Sequence, residues 1–156
     1  MIFVTLGTQE FQFDRLLRAL DGLPGDEELV VQGGRSTFRP ARAVWHDYLS
    51  FGETVEHVRR ARVVVCHAGV GSVMTALEEG RRPVVVPRLR EHGEAVDDHQ
   101  LPFARRLAST GAVLLVEDLD ALPEALAGPE PRSAGRRGGQ RLALDLKAYL
   151  VDVVRR

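Results

Sequence analysis

The residues best suited to chemistry form a glycine-punctuated run, Cys66-His67-Ala68-Gly69-Val70-Gly71-Ser72. Closely spaced glycines let a ligand approach the backbone. A helix starting there adds free N–H groups and a dipole that favour an anion such as a diphosphate. A second turn, Gly7-Thr8-Gln9, closes the first apolar run. A third stretch, from Glu91 and His92 through Asp97-Asp98-His99-Gln100, is dense in side chains that bind hydroxyls or metals.

Several chemistries compete for these residues. Gly69-Val70-Gly71 begins a dinucleotide fingerprint, but Met74 stands at the third glycine position. The acid expected about 20 residues on is absent, with Pro87 and Arg88 in its place. A nicotinamide cofactor is therefore rejected. So is a P-loop, because no Gly-Lys-Ser/Thr follows the glycines. A metal held by His92, Asp98 and His99 is conceivable, yet the adjacent Asp98 and His99 cannot share one helical face. A polar loop that hydrogen-bonds a hydroxylated ligand fits better, set against a solvated loop in which Asp98 only caps a helix. His67 has two readings, a core histidine bonded to backbone or a ligand contact at a strand's carboxyl end. Cys66 is a thiol with no lysine near it in sequence, and it reads as a small residue closing a buried strand. Thr75 is close enough to the turn to matter, whereas Glu78 and Glu79 face solvent.

The elements around these turns alternate. Val63 to Val65 is a short β-branched run suited to a buried parallel strand. Val73, Ala76 and Leu77 stripe the helix that follows, with Ser72 at its N-cap or first turn. Gly80 ends that helix, Pro83 bars its continuation and Val84 to Val86 is the next strand. Upstream, Ile2 to Leu6 is strand one, and a helix from Phe13 or Asp14 carries Leu16, Leu17 and Leu20. Leu29 to Val31 is strand two, Val44 to Leu49 a weaker strand, and Thr54 to Arg60 a short helix. Downstream, a helix opening at Asp98 stops at Gly111, Ala112 to Val116 is strand six, and Leu119 to Leu126 is helical. This order predicts an α/β fold, a single Rossmann-like domain over 1–127 with a mostly parallel six-stranded sheet and helices on both faces. Residues 128–139 read as a linker. Residues 140–156 read as a helix packing on the same domain or on a partner. Ligands of such sheets sit at the switch point, so strands one and four should be neighbours, with their turns facing across one crevice.

Bulk properties narrow the class. The chain has 156 residues, enough for one domain with a real core, and a net charge of −1 that predicts no affinity for nucleic acid. One cysteine excludes an internal disulfide and fits a reducing cytoplasm. The chain opens on a strand-like run, so no leader is expected, and no apolar stretch nears the ~18 residues of a membrane span. The expected location is cytoplasmic, with membrane contact only through a partner.

Phe3-Val-Thr-Leu-Gly-Thr8, Phe13-Asp14-Arg15-Leu16, the glycine run, Pro83 to Pro87, and Glu91-His92 with Asp97-Asp98-His99-Gln100 together resemble the glycosyltransferase family 28 C-terminal domain. That domain is the donor-binding half of the GT-B fold, and the likeness covers nearly the whole chain. Stand-alone donor-binding subunits of two-part glycosyltransferases are the most similar in length. The resemblance implies a UDP-sugar donor, no metal or other cofactor, and a membrane-associated partner subunit that binds a lipid-linked or polysaccharide acceptor at the inner face of the membrane. By position, Gly7, Thr8, Gly69, Val70, Gly71 and Ser72 would hold the diphosphate. Thr75, His92, Asp98, His99 and Gln100 would hold ribose and sugar. Thr75 replaces the ribose-gripping glutamate of fused relatives and offers a single hydroxyl. Uracil would be read by backbone around Arg35 to Trp45. No buried carboxylate stands out as general base, so the base is expected from the partner, with His67 as a candidate on this chain. Two other functions remain open: a non-catalytic nucleotide-sugar-binding or enhancer subunit, and a UDP-sugar 2-epimerase-like enzyme.

Overall fold

A computed structural model describes residues 1–128 of the chain, so the linker and terminal helix expected beyond Gly128 lie outside the described residues. Six strands form one sheet: β1 (Ile2–Thr5), β2 (Leu29–Gln32), β3 (Ala43–His46), β4 (Val63–His67), β5 (Val84–Val86) and β6 (Leu114–Leu115). Their order is β3-β2-β1-β4-β5-β6 and every pairing is parallel. The order in which strands are added across the sheet reverses between β1 and β4, where Thr5 pairs with Cys66. This is the switch point of a doubly wound sheet, and both glycine turns leave from it.

Among the described residues five helices cover the sheet: α1 (Asp14–Asp21), α2 (Phe51–Arg60), α3 (Val70–Glu78), α4 (Gln100–Ser109) and α5 (Leu122–Ala127). Leu16, Leu17 and Leu20 of α1 pack with Leu122 and Leu126 of α5 on Val4, Val31, Val65 and Val86. The opposite face buries Phe3, Val30 and Val64 against α2 and α3, and Cys66 and Val85 against α3 and α4. Alternation of side chains along each strand therefore feeds two separate cores. α3 ends as its sequence predicts: Gly80 has φ +73°, its N–H donates to the Leu77 carbonyl, and the Arg81 N–H reaches the Ala76 carbonyl.

The edges of elements depart from expectation. The third strand stops at His46 and the sixth keeps only two residues. The last expected helix divides into a 3-10 turn, Leu119–Ala121, and α5. α2 begins three residues before Thr54 because Ser50 and Glu53 form a reciprocal capping box. The Ser50 N–H donates to Glu53 at 2.8 Å, and the Glu53 N–H donates to the Ser50 hydroxyl at 3.3 Å. Replacing Ser50 with alanine should cost about 1 kcal/mol of stability, read as a lower midpoint at unchanged slope in urea unfolding. An unchanged midpoint would show that the box contributes nothing.

Candidate functional site

β4 runs to His67, two residues further than its apolar core predicts, so His67 is the last strand residue rather than part of the turn. Gly69 is the N-cap of α3 in extended conformation, and Gly71 and Ser72 already belong to its first turn. The helix has no side-chain cap and no acidic residue in that turn. Its first N–H groups thus face the mouth without a competing carboxylate. Across from it, Gly7 turns the chain out of β1 with φ +73°.

His67 fills the space between the two glycine turns. A Cβ added to Gly7 would lie 2.4 Å from His67 Nε2, and one added to Gly69 would lie 2.0 Å from His67 Cε1. Glycine is required at both places by the imidazole edge. The ring is held from behind by Gln100, whose Nε2 lies 3.2 Å from His67 Nδ1. The Gln100 carbonyl oxygen accepts the N–H groups of Ala68 at 3.2 Å and Arg88 at 3.1 Å. With its oxygen so engaged, the amide presents N–H to Nδ1, and the ring proton sits on Nε2, pointing at the turns. His67 is 5% exposed. Burial, and then the Arg88 charge, pull its pKa down to about 4. The imidazole is a neutral N–H donor, with the Ser72 hydroxyl 3.4 Å from Nε2.

Two hollows flank Gly69. One, of 510 Å³, is lined by Gly7, Thr8, His67, Gly71, Ser72 and Thr75, with Tyr48, Phe51 and Thr54 as its outer wall. The other, of 490 Å³, is lined by Phe11, Val70, Val96, Asp97, His99 and Gln100. Gln9 and Gly69 border both. The structure thus gathers ten of the twelve expected site residues around one crevice. His92 and Asp98 are not among the linings. His92 stands on a 3-10 turn, Arg90–His92, beside Glu91 at 3.7 Å, and Asp98 accepts the Arg90 N–H at 2.9 Å. Asp98 therefore ties down the loop and does not cap α4, whose N-cap is His99. His92, Asp98 and His99 do not converge, and no group of three or more His, Cys, Asp or Glu side chains among the described residues does so.

Details correct or extend the reading of single residues. Thr75 donates its hydroxyl proton to the Gly71 carbonyl at 2.9 Å, so toward a ribose it can only accept. Residues 35–45 line neither hollow; Ser36 and Thr37 instead anchor the start of α1 through Phe13 and Asp14. Cys66 is fully buried, and burial pushes its thiol up to about 12, which leaves no thiolate for catalysis. Gln32 was missed. Buried at the end of β2, it accepts from Thr5 at 2.8 Å and donates to the Gly7 carbonyl at 3.0 Å, fixing the first turn from below. A polar residue closing an apolar strand is the one signal that could have found it, as it found His67.

Residues 1–128 match the family model described as Glycosyltransferase family 28 C-terminal domain. The chain is 31% identical over 121 residues to the UDP-N-acetylglucosamine transferase subunit ALG13 of Homo sapiens, covering 70% of this chain and 10% of that protein. It is 39% identical over 126 residues to a UDP-N-acetylglucosamine–N-acetylmuramyl-(pentapeptide) pyrophosphoryl-undecaprenol N-acetylglucosamine transferase of Paracidovorax citrulli, covering 73% of this chain and 34% of the relative. Among solved structures, the calicheamicin glycosyltransferase CalG4 superposes with a TM-score of 0.61 at 21% identity, covering 97% of this chain and 43% of its own. The chain spans less than half the length of each.

Proposed function

The chain belongs to the glycosyltransferase family 28 C-terminal domain, and from that premise we propose that it is the donor-binding part of a two-component hexosyltransferase. It would take a UDP-sugar, with N-acetylglucosamine or another hexose or uronic acid as the group transferred, and deliver it to a lipid-linked or polysaccharide acceptor held by a partner subunit. The observation that carries this reading is the apposition of the Gly7 and Gly69 turns around a neutral, buried His67 N–H. The arrangement supplies donors to an anion while placing no carboxylate against it.

Transfer displaces UDP with an acceptor hydroxyl, so negative charge grows on the leaving diphosphate. The α3 N-terminus, the Ser72 hydroxyl and His67 Nε2–H are preorganised to meet that charge, and their effect is larger at the transition state than in the ground state. The hollow walled by Tyr48, Phe51 and Thr54 would take the nucleoside, and the hollow lined by Val96, Asp97 and His99 the sugar. The acceptor proton needs a base. Glu94 is engaged by Arg15 at 2.8 Å and by the Leu89 N–H, and both Asp97 oxygens are engaged by His99, which supports assigning the base to the partner. Among the described residues no helix is long and apolar enough to cross a membrane. We assign association with a membrane to that partner.

Calorimetry with UDP, UDP-N-acetylglucosamine, UDP-glucose and UDP-glucuronate tests the reading directly. Binding of UDP in the micromolar range is expected, with one of the sugars binding more tightly than UDP alone. Indifference to UDP at millimolar concentration would end the assignment. A complex that keeps full transfer activity after loss of His67 and Ser72 donors would instead favour a non-catalytic binding subunit.

A further inference from the structure

Among the described residues, the largest fully buried side chain is a charged one. Arg88, two residues past the end of β5, is 1% exposed. Its guanidinium donates to backbone carbonyls. Nη1 donates to Phe11 at 3.0 Å, Gln12 at 3.2 Å and Glu94 at 3.2 Å, and Nη2 donates to Leu6 at 2.8 Å. The plane lies against the Phe13 ring, 4.7 Å from its centroid. Burial draws its pKa down to about 10, with the Glu94 charge opposing, so the group stays cationic.

These acceptors are not scattered. Leu6 precedes the Gly7-Thr8-Gln9 turn, and Phe11 and Gln12 follow it. Glu94 opens the segment whose Ala95, Val96, Asp97 and His99 line the second hollow. One fork therefore grips both ends of the first turn and the root of the loop opposite. A parallel strut reinforces it: Arg15 pairs with the Glu94 carboxylate through Nε at 2.8 Å and Nη2 at 3.0 Å. Arg15 Nη2 also donates to the Pro87 carbonyl at 3.3 Å. Desolvating a guanidinium is costly, and an apolar residue of equal volume would fill the space while orphaning four carbonyls. Only arginine's planar, multi-donor head spans acceptors in this pattern; a lysine ammonium is a point donor.

We propose that Arg88 is a positioning residue that sets the spacing between the Gly7–Gln9 turn and the 94–99 loop, holding both for a nucleoside diphosphate without touching it. The inference rests on the donor-binding reading above, and it concerns the terminal phosphate, which meets the first turn where the two hollows join at Gln9 and Gly69. The side chain acts through the carbonyls of Leu6, Phe11, Gln12 and Glu94.

The test compares UDP with UMP by calorimetry on the full chain, for the wild type, Arg88→Lys and Arg88→Met, well below each melting temperature. Wild type should prefer UDP. Arg88→Met should lose roughly tenfold or more of that preference, with UMP affinity changed little, and Arg88→Lys should fall between, since it keeps charge but not the fork. A purely structural arginine would lower the melting temperature and leave the UDP-to-UMP ratio untouched, and that result overturns the proposal. So does an Arg88→Lys variant that matches wild type, because charge alone would then suffice. Where Arg88→Met does not fold, Arg88→Lys decides by itself. A wild type that binds no UDP overturns the donor-binding reading first, and this inference with it.

Discussion

Gly7→Ala will fold and will lose UDP affinity by roughly 100-fold, about 3 kcal/mol of binding free energy. Two penalties coincide at this residue. Its φ of +73° is a conformation in which a Cβ costs about 1–2 kcal/mol. The added methyl would also stand 2.4 Å from His67 Nε2. The imidazole cannot retreat, because Gln100 holds its far nitrogen and Gln100 is itself pinned by two backbone N–H groups. Relief must come from the Gly7 turn, which swings away from α3 and opens the hollow between them. The rest of the sheet is untouched, so the domain should survive with a lowered melting temperature. Gly71→Ala is the matching control. It lies inside α3, with nothing within 4 Å of an added Cβ. Alanine there should raise stability by about 0.5–1 kcal/mol. If a diphosphate rests on the first turn of α3, the same methyl should weaken UDP binding in a protein that melts higher. A folded Gly7→Ala variant that binds UDP like the wild type would remove this turn from the site.

The elements that made the crevice findable were those in which local chemistry and long-range packing agree. Val63–Val65 and Val84–Val86 are too apolar to be anything but central strands, and Gly80 with Pro83 fixes where α3 must end. Their alternation dictated a doubly wound sheet, and the switch point then set β1 beside β4. Edges were less legible, because β3 and β6 take their length from neighbours rather than from their own residues. The start of α2 was legible and missed: Ser50-x-x-Glu53 is a capping box in plain sequence. Arg88 is a different case. An arginine after a proline in a charged loop reads as a surface residue, and its burial depends on carbonyls contributed by residues 6, 11 and 12, some 80 positions away in the chain. His92 and Asp98 escaped for a local reason. Ligand-type residues were counted along the loop, but a 3-10 turn and a bond from Asp98 to Arg90 N–H carry those two away from the crevice.

Acid should destabilise the domain earlier than its carboxylates require, and His67 should be the cause. Folded, its pKa is about 4; unfolded, it returns to 6.5. Between those values the unfolded chain binds a proton that the native state refuses. Stability is therefore whole above pH 6.5 and falls as the pH drops toward 4. From pH 7 to 5 the loss should be about 2 kcal/mol. That window belongs to His67 alone among the described groups with displaced pKa values. Glu27, held down to about 2 by its bond to Arg62, forfeits its contribution only below 4.5, and Glu53, Asp97 and Glu117 are likewise lowered from ordinary carboxylate values. Urea unfolding at pH 7, 6 and 5 measures the slope. His67→Leu and His67→Gln should both flatten it, since neither side chain titrates. The two should part in catalysis. With the partner subunit present, His67→Leu removes the N–H aimed at the leaving diphosphate and should slow transfer about 100-fold. His67→Gln can return an amide N–H to the same place and should recover much of that loss. Equal rates for the two variants would mean that the ring only fills space between the glycines. A slope that survives both substitutions would mean that another group takes up the proton.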